Sequence, residues 1–483
     1  MSFLHSRFFW IIAVIILIAE LLYATKQYSH TKVDGDFAAI VLPAEWYTKV
    51  LEDPLGKSAL LDKERYGATN RFTSHYVMHS YFYHVPLLLQ KFTNPIESVY
   101  LAITIAKLFI HIMFLALVGY YAASFSGFLY KKWLFAMVII SPFLISHGAF
   151  IDYYSFLDKT ITYAMFYTLP LCTLMLYYIP IYYFSYLKKH PLPKGLLLVY
   201  IPISLFMVSF GPLTAPLIII INGLIFGFLL LDLTAIGEKR NITIRFSKLV
   251  ATDKILLTIL CVGFGFSFYS LYLGSFNIEN DSCTISIIDR YKGLVKGIYY
   301  SFFGYKEGGL YLVVFLGFVL WLSGKKFIQE NLFIILLFSI LLIAAYCFLL
   351  PLGGCRDYRP YILRRDTFLP ALSVLLFLVS TCSVYILEQK NTRVIITFLI
   401  PWIIISIFYW SKDSMPVWYD DNELEKKNLY QLQSSTDDCT TLNEGLSVFS
   451  WNNYSECNQS RVSSELLLHY RIIDRYRLYK NHE

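Results

Sequence analysis

The sequence predicts an all-α polytopic membrane protein, and composition, the length of apolar runs and the placement of charge all support this fold class. Of the 483 residues, 57% are apolar and 16% are charged, whereas about 25% charged residues is usual for a soluble protein. With a mean hydropathy of +0.53, most apolar side chains must face lipid or other lipid-embedded helices. The composition therefore excludes a cytosolic enzyme and argues against a nucleic-acid partner.

About eleven apolar runs are long enough to cross a hydrocarbon core of about 30 Å. The first, Phe8 to Thr25, is too long for a signal-peptide core and lacks a small-x-small cleavage site, so we expect a retained anchor helix. The others cover 97–122, 133–150, 161–187, 195–211, 213–231, 255–274, 309–323, 331–350, 369–387 and 393–410. The division of 195–231 into two spans depends on Gly211-Pro212 forming a tight external turn.

The charges between these runs predict the topology. With the N-terminus inside, every cytoplasmic connection is basic, as the positive-inside rule requires. These connections contain Lys131-Lys132, Lys188-Lys189, the 232–254 loop, Lys325-Lys326, and Lys390 with Arg393. We therefore expect an N-in, C-out transmembrane domain over 1–410, with a large outer loop at 26–96, and an extracytoplasmic C-terminal domain over 411–483.

Four of the eight cysteines lie outside the predicted spans, and this even number suits an oxidising compartment. Cys439 and Cys457 are close in the sequence of the C-terminal domain, so we expect a disulfide between them. A second is expected between Cys283 and Cys355. The alternative is four free thiols.

The first outer loop contains two carboxylates that flank a glycine, in the sequence Val33-Asp34-Gly35-Asp36-Phe37. A carboxylate held against a low-dielectric surface can have its pKa raised toward neutrality, which would let it accept a proton from a sugar hydroxyl. The alternative is a solvated Asp-Gly turn. The stretches 38–50 and 76–92, in the same loop, are amphipathic or rich in aromatic residues and are expected to lie in the membrane interface.

Three histidines in this loop could bind a metal. His75 and His79 are four residues apart, with His84 nearby, a spacing that can place two imidazoles on one helix face. Because no carboxylate ligand has a suitable spacing, hydrogen bonding at the interface is the favoured interpretation.

The outer loop before the tenth run is unusually rich in arginine for an extracytoplasmic segment. It contains Arg356, Arg359, Arg364 and Arg365. The planar guanidinium fork suits phosphate oxygens better than a lysine does, so a lipid-linked phosphate is the favoured ligand. The alternative is a surface cluster in which Arg356 pairs with Asp357 and Arg365 with Asp366.

Three ionisable residues stand out in the first two predicted spans, where such side chains are costly and usually paired. They are Glu20 in the first span and Lys107 and His111 in the second. We predict a buried Glu20–Lys107 pair that ties the two spans together; a proton path is the alternative.

The order of segments in the chain resembles that of the GT-C membrane glycosyltransferases. The order is an anchor helix, an outer loop that opens with acidic residues, further helices and an outer C-terminal domain. The resemblance implies that Asp34 or Asp36 is the general base of an inverting sugar transfer. It also implies that Arg356, Arg359, Arg364 or Arg365 binds the phosphate of a polyprenyl carrier. No metal ligand is assigned, although a divalent cation stays open.

Within that superfamily, the length, the long first outer loop and the outer tail look most like phage- or prophage-type glucosyltransferases that alter the O-antigen serotype. The resemblance implies a polyprenyl-phosphate-linked sugar donor, a lipid-linked glycan acceptor, and an active site facing the periplasm in the bacterial inner membrane. The alternatives are an O-antigen polymerase or ligase and a transporter or flippase. A transporter would be expected to show internal repeats or several charges deep in its spans.

Overall fold

The computed structural model describes residues 7–125, 127–144, 156–188, 190–234, 254–281, 283–303, 308–327, 333–357, 361–389, 391–413 and 419–482. After α1 (Arg7–Ser29), the predicted first outer loop folds into four helices, α2 (Phe37–Val41), α3 (Glu45–Glu52), α4 (Lys57–Leu61) and α5 (Phe72–Leu89). Next come α6 (Pro95–Phe125), α7 (Tyr130–Ile140), and α8 (Ile161–Tyr163) joined to α9 (Leu169–Ile181) by the π-helical segment Ala164–Thr168. The chain continues with α10 (Leu196–Val208), α11 (Thr214–Thr234), α12 (Lys254–Gly274), α13 (Ile287–Phe303), α14 (Gly308–Phe327), α15 (Phe333–Leu349), α16 (Arg365–Glu388) and α17 (Thr392–Asp413).

Within these residues, seven helices are long and apolar enough to cross a membrane. They are α1, α6, the continuous helix Ile161–Ser185, α12, Phe333–Leu352, α16 and α17. Helices α13 and α14 together would form an eighth span bent by 69°, and α10 and α11 are shorter apolar helices. Each of the predicted apolar runs contains helix, so the chain is an all-α membrane protein in its main body, while the number of spans and their orientation stay predictions.

Helices α6 and α16 form the centre of the bundle and are its most buried spans. Both are apolar on nearly all sides, as expected of a helix that is surrounded by other helices. Helix α1 packs against α6 and α7 but exposes most of its surface, so lipid is its expected environment.

The predicted Glu20–Lys107 pair is wrong. Glu20 Oε1 lies 3.0 Å from His111 Nε2, and the other ring nitrogen of His111 is 2.7 Å from the hydroxyl of Tyr28. The Lys107 ammonium instead donates to the hydroxyl of Thr31 at 3.1 Å and to a backbone carbonyl. Because α1 and α6 run antiparallel, Lys107 lies one turn closer to the end of α1 than His111 does, beyond the level of Glu20.

The C-terminal domain contains a small sheet as well as helices, a departure from the predicted all-α class. After α18 (Tyr419–Ser434), the strand β1 (Cys439–Leu442) pairs in parallel with β2 (Leu478–Asn481), and α19 (Arg461–His469) connects them. The predicted Cys439–Cys457 disulfide is present, with the Cα atoms 6.0 Å apart. The bridge ties β1 to the turn that precedes α19.

This domain packs on the first outer loop. Helix α2 is buried against α5 and α19, and Phe37 contacts Phe82 and Phe449 with ring centroids 4.9 and 5.9 Å away. The hydroxyl of Tyr470 donates to the Phe82 carbonyl at 2.8 Å. The prediction that 38–50 lies in the membrane interface is therefore wrong for α2, because the C-terminal domain covers its apolar residues.

Candidate functional site

Asp34 lies at the point where the first outer loop meets the start of α8. The backbone N–H of Thr162 donates to one carboxylate oxygen at 3.1 Å, and the Thr162 hydroxyl donates to the other at 2.7 Å. The Asp36 backbone N–H donates to Asp34 as well, at 3.2 Å. With only 1% of the residue exposed, Asp34 is anchored in the protein and is not part of a solvated turn.

The environment of Asp34 raises the pKa of its carboxyl group toward neutral pH. Burial raises the pKa of Asp34 to about 6; the neighbouring charge of Asp36 acts in the same direction, and the hydrogen bonds from Thr162 oppose both. Asp34 can therefore take up or release a proton in the pH range where a general base works best.

Asp36 occupies the residue before α2 and is only partly buried. Burial, the charge of Glu279 and, after these, the charge of Asp36 raise the pKa of the Tyr47 phenol far above its usual value. Asp36 thus lies within electrostatic range of a second polar cluster, formed around Glu279. Of the two aspartates, Asp36 is the one that a bound molecule can reach.

Glu279 is held by two arginines. Arg71 Nη1 lies 3.0 Å and Arg356 Nη2 lies 2.9 Å from the same carboxylate oxygen, while the Tyr47 hydroxyl donates to the other oxygen at 3.0 Å. Burial raises the pKa of Glu279, but the two guanidinium groups outweigh it and hold that pKa below its usual range. Two cations against one carboxylate leave this triad with a net positive charge.

The position of Arg356 follows from the second predicted disulfide, which is also present. Cys355 is bonded to Cys283, with the Cα atoms 5.4 Å apart. This bridge holds the arginine-rich segment against the loop that carries Glu279. Arg71 has in addition a buried Nε for which the described part of the chain supplies no hydrogen-bond partner, and a buried donor left in this way is a ready contact for an anion.

The other arginines of the predicted cluster lie at the start of α16. Arg365 Nε is 2.6 Å from Asp158, and Arg364 Nη2 is 2.8 Å from Asp366. Arg359 lies outside the described residues. The alternative of ion pairs between Arg356 and Asp357 and between Arg365 and Asp366 does not hold for these partners, because folding brings Glu279 to Arg356 and Asp158 to Arg365.

A small pocket opens beside these ion pairs. Its lining includes Asp158, Tyr163, Tyr167, Arg365 and Asp366. Tyr163 directly follows Thr162, the residue that holds Asp34, so the pocket and the aspartate pair share one segment. The acidic loop and the arginine-rich loop, far apart in sequence, thus meet around residues 158–168.

The sequence interpretation missed several members of this site, including Asp158, Thr162, Arg71 and Glu279. Asp158 and Glu279 stand in connections that the sequence predicts to be outer, and a charge there was a signal that could have been used. Arg71 was a further cation on the predicted outer side, where cations are scarce. Thr162 offers no such signal, since a threonine at a helix start usually serves as a local cap.

The C-terminal domain contributes a buried carboxylate beside the aspartate pair. Glu425 accepts hydrogen bonds from the Val33 amide at 2.8 Å, the Tyr100 hydroxyl at 2.8 Å and the Phe449 amide at 3.0 Å. Burial raises the pKa of Glu425 to about 7, against the effect of these donors. Glu425 therefore connects the C-terminal domain to the residue that precedes Asp34.

The histidines of the first loop do not assemble a metal site. His75 packs between the rings of Tyr47 and Phe166, and burial, with the charge of Arg71, lowers its pKa to about 3. A ring nitrogen of His79 is 2.8 Å from the Val41 carbonyl oxygen. Across the residues that the structure describes, no three histidine, cysteine or acidic side chains form a group able to hold a metal ion.

Comparison with known proteins adds no relative from which a function could be inferred. No family model matches the chain, and no curated protein or solved structure matches it significantly. The function is therefore argued from the site itself.

Proposed function

We propose that this protein is a GT-C-type membrane glycosyltransferase, which moves a sugar, glucose in our assignment, from a polyprenyl-phosphate carrier to a lipid-linked glycan such as O-antigen. It acts at the periplasmic face of a bacterial inner membrane. The observation that carries the proposal is the juxtaposition of two carboxylates, of which Asp34 has a raised pKa, and a positively charged arginine cluster. Sugar transfer from a phosphate carrier needs both, one for the nucleophile and one for the leaving group.

We assign Asp36 as the general base and Asp34 as a positioning residue. Asp34 is fully buried and its oxygens accept from Thr162 and from the Asp36 amide. Asp36 is partly exposed, so an acceptor hydroxyl can reach its carboxylate. Protonation of Asp34 near pH 6 removes one of the two negative charges at the site, so activity should rise with pH through about 6 and level off above it.

The leaving group is stabilised by Arg71 and Arg356. The carrier is bound as a phosphodiester with one negative charge and leaves as a phosphate monoester with a second charge. The triad of these arginines with Glu279 supplies net positive charge, and the buried Nε of Arg71 supplies an unused donor. Arg364 and Arg365 each pair with a carboxylate of their own, whereas Arg71 and Arg356 share one, so Arg364 and Arg365 are assigned to shaping the pocket.

The reaction is an inverting displacement. The acceptor hydroxyl gives its proton to Asp36 while its oxygen forms a bond to the anomeric carbon of the donor sugar. The bond from that carbon to the phosphate oxygen breaks on the opposite face, and its electron pair leaves with the phosphate. The charge that develops there is stabilised electrostatically and needs no proton.

The test is sugar transfer by the full-length protein in nanodiscs with a polyprenyl-phosphate glucose donor. Asp36→Asn should lower kcat by about 100-fold or more because the base is lost. Asp34→Asn should be less severe and should move the acidic limb of the pH–rate profile to lower pH, because the group that titrates near pH 6 is removed. Asp62→Asn, which changes an exposed aspartate of the same loop, is the matched control and should behave like wild type.

Full activity in both Asp34→Asn and Asp36→Asn would overturn the proposed roles. Loss of activity in Asp34→Asn with wild-type activity in Asp36→Asn would exchange them.

A further inference from the structure

Trp451 is one of the exposed aromatic residues of the C-terminal domain. It is 43% exposed, although Val448 and Phe449, just before it, are buried. Its ring is nearly parallel to that of Tyr163, with 27° between the planes and 6.1 Å between the centroids. The two rings come from different parts of the fold, one from the C-terminal domain and one from α8.

This aromatic pair borders the aspartate pair directly. The backbone of Gly35 passes so close to Trp451 that a Cβ on Gly35 would lie 2.4 Å from the Trp451 nitrogen and 2.5 Å from its Cδ1. Tyr163, on the other side, follows Thr162, which holds Asp34. Trp451 therefore lies over the glycine that separates the two carboxylates.

An exposed aromatic surface beside carboxylates has the chemistry of a sugar subsite. One face of a pyranose ring carries mostly C–H groups and can cover an aromatic ring, which removes apolar surface from water. The hydroxyl groups at the rim of the sugar then point sideways, where carboxylates and amides can accept or donate hydrogen bonds. Side chains with only two χ angles provide this surface at a low entropic cost.

We propose that Trp451 and Tyr163 bind a pyranose ring of the acceptor glycan, an inference that rests on the proposed function. The ring is assigned to the acceptor because the base acts on the acceptor hydroxyl, and Trp451 touches the residue between the two aspartates. The donor is held by its phosphate at the arginine cluster. Trp451 belongs to the extracytoplasmic domain, from which a long glycan can approach without crossing the spans.

The kinetic test varies the acceptor at saturating donor for the full-length protein in nanodiscs. Trp451→Ala should raise the KM for acceptor about tenfold, while kcat and the KM for donor should change by less than about twofold. Trp451→Phe keeps an aromatic ring and should restore most of the acceptor affinity. Tyr476→Ala removes an aromatic residue of the same domain that is also 43% exposed, and it should leave all three constants unchanged.

A binding test needs no turnover. The probe is O-antigen oligosaccharide released from lipopolysaccharide by mild acid, added to the full-length protein while tryptophan fluorescence is recorded. Wild type should show a saturable change, Trp451→Phe should lose the change while retaining transfer, and Trp451→Ala should lose both the change and the affinity.

The outcomes separate this inference from the proposed function. If wild type transfers sugar but Trp451→Ala has the wild-type KM for acceptor, or loses only kcat, the aromatic subsite is wrong and the transferase assignment stands. If wild type transfers no sugar from the polyprenyl-phosphate donor, the proposed function is wrong and the acceptor subsite falls with it.

Discussion

The buried carboxylate of Glu425 provides a quantitative test of how the C-terminal domain holds the first outer loop. In water an isolated glutamate has a pKa near 4.5, whereas burial raises that of Glu425 to about 7. This difference corresponds to roughly 3 kcal/mol. We call the C-terminal domain docked when it is packed on the first outer loop. The value is the free energy by which docking favours the protonated Glu425 side chain over the ionised one.

The sign of the pH dependence follows from proton uptake. Between pH 4.5 and about 7 the docked state binds the proton and the undocked state does not, so raising the pH pulls the equilibrium toward undocking. The stability of docking is highest below pH 4.5 and falls by roughly 3 kcal/mol as the pH rises through 7. Hydrogen exchange of α18, corrected for the intrinsic exchange rate, should therefore show protection factors that fall roughly 100-fold from pH 4.5 to 8.

Glu425→Gln removes the titration. Its amide oxygen can still accept from one or two of the three donors, so the variant should dock more weakly at low pH but show no decline with pH. Glu465→Gln, which changes an exposed glutamate of the same domain, should keep the wild-type pH dependence. An unchanged decline in Glu425→Gln, or no decline in wild type, would refute the reasoning.

Two further substitutions test the contacts of the aspartate pair. Thr162→Val removes the 2.7 Å hydrogen bond to Asp34. The pKa of Asp34 should therefore rise further, and the acidic limb of the pH–rate profile for sugar transfer should move up by about one pH unit. An unmoved limb would contradict a role for this bond. Gly35→Ala forces the backbone at Trp451 to shift and should destabilise the protein by about 1–3 kcal/mol in thermal unfolding. Gly445→Ala, which has open space around the added Cβ, is its control, and equal stability of the two variants would argue against the close approach.

Some parts of the site could be predicted because they depend on local sequence. Asp34 and Asp36 stood out because charge is scarce in this chain, and a pair beside a membrane span is conspicuous. The disulfides could be anticipated because only four cysteines lie outside the apolar runs. The electrostatic partners could not be predicted in this way: Glu279 and Asp158 lie far in sequence from the arginines they bind.

The intramembrane pairing shows the same limit on a smaller scale. Apolar sequence indicates that Glu20, Lys107 and His111 lie in neighbouring spans, and the cost of burying a charge indicates that they need partners. Which partners they find depends on the relative height of α1 and α6 in the bundle. Lys107 and His111 are about one helical turn apart, or about 5.4 Å. This difference in height is enough for Glu20 to pair with His111 while Lys107 donates to Thr31.

By itself, the sequence determined three things: that the chain is embedded in a membrane, which segments form its apolar helices, and which few charges need an explanation. It could do so because transfer of an apolar segment into lipid depends on the composition of that segment alone. Only the tertiary structure decided that Asp34 is buried by Thr162, that Arg356 joins Arg71 on Glu279, and that Trp451 covers Gly35. These contacts join segments up to several hundred residues apart. Their energies depend on distance and burial, which exist only once the helices have packed.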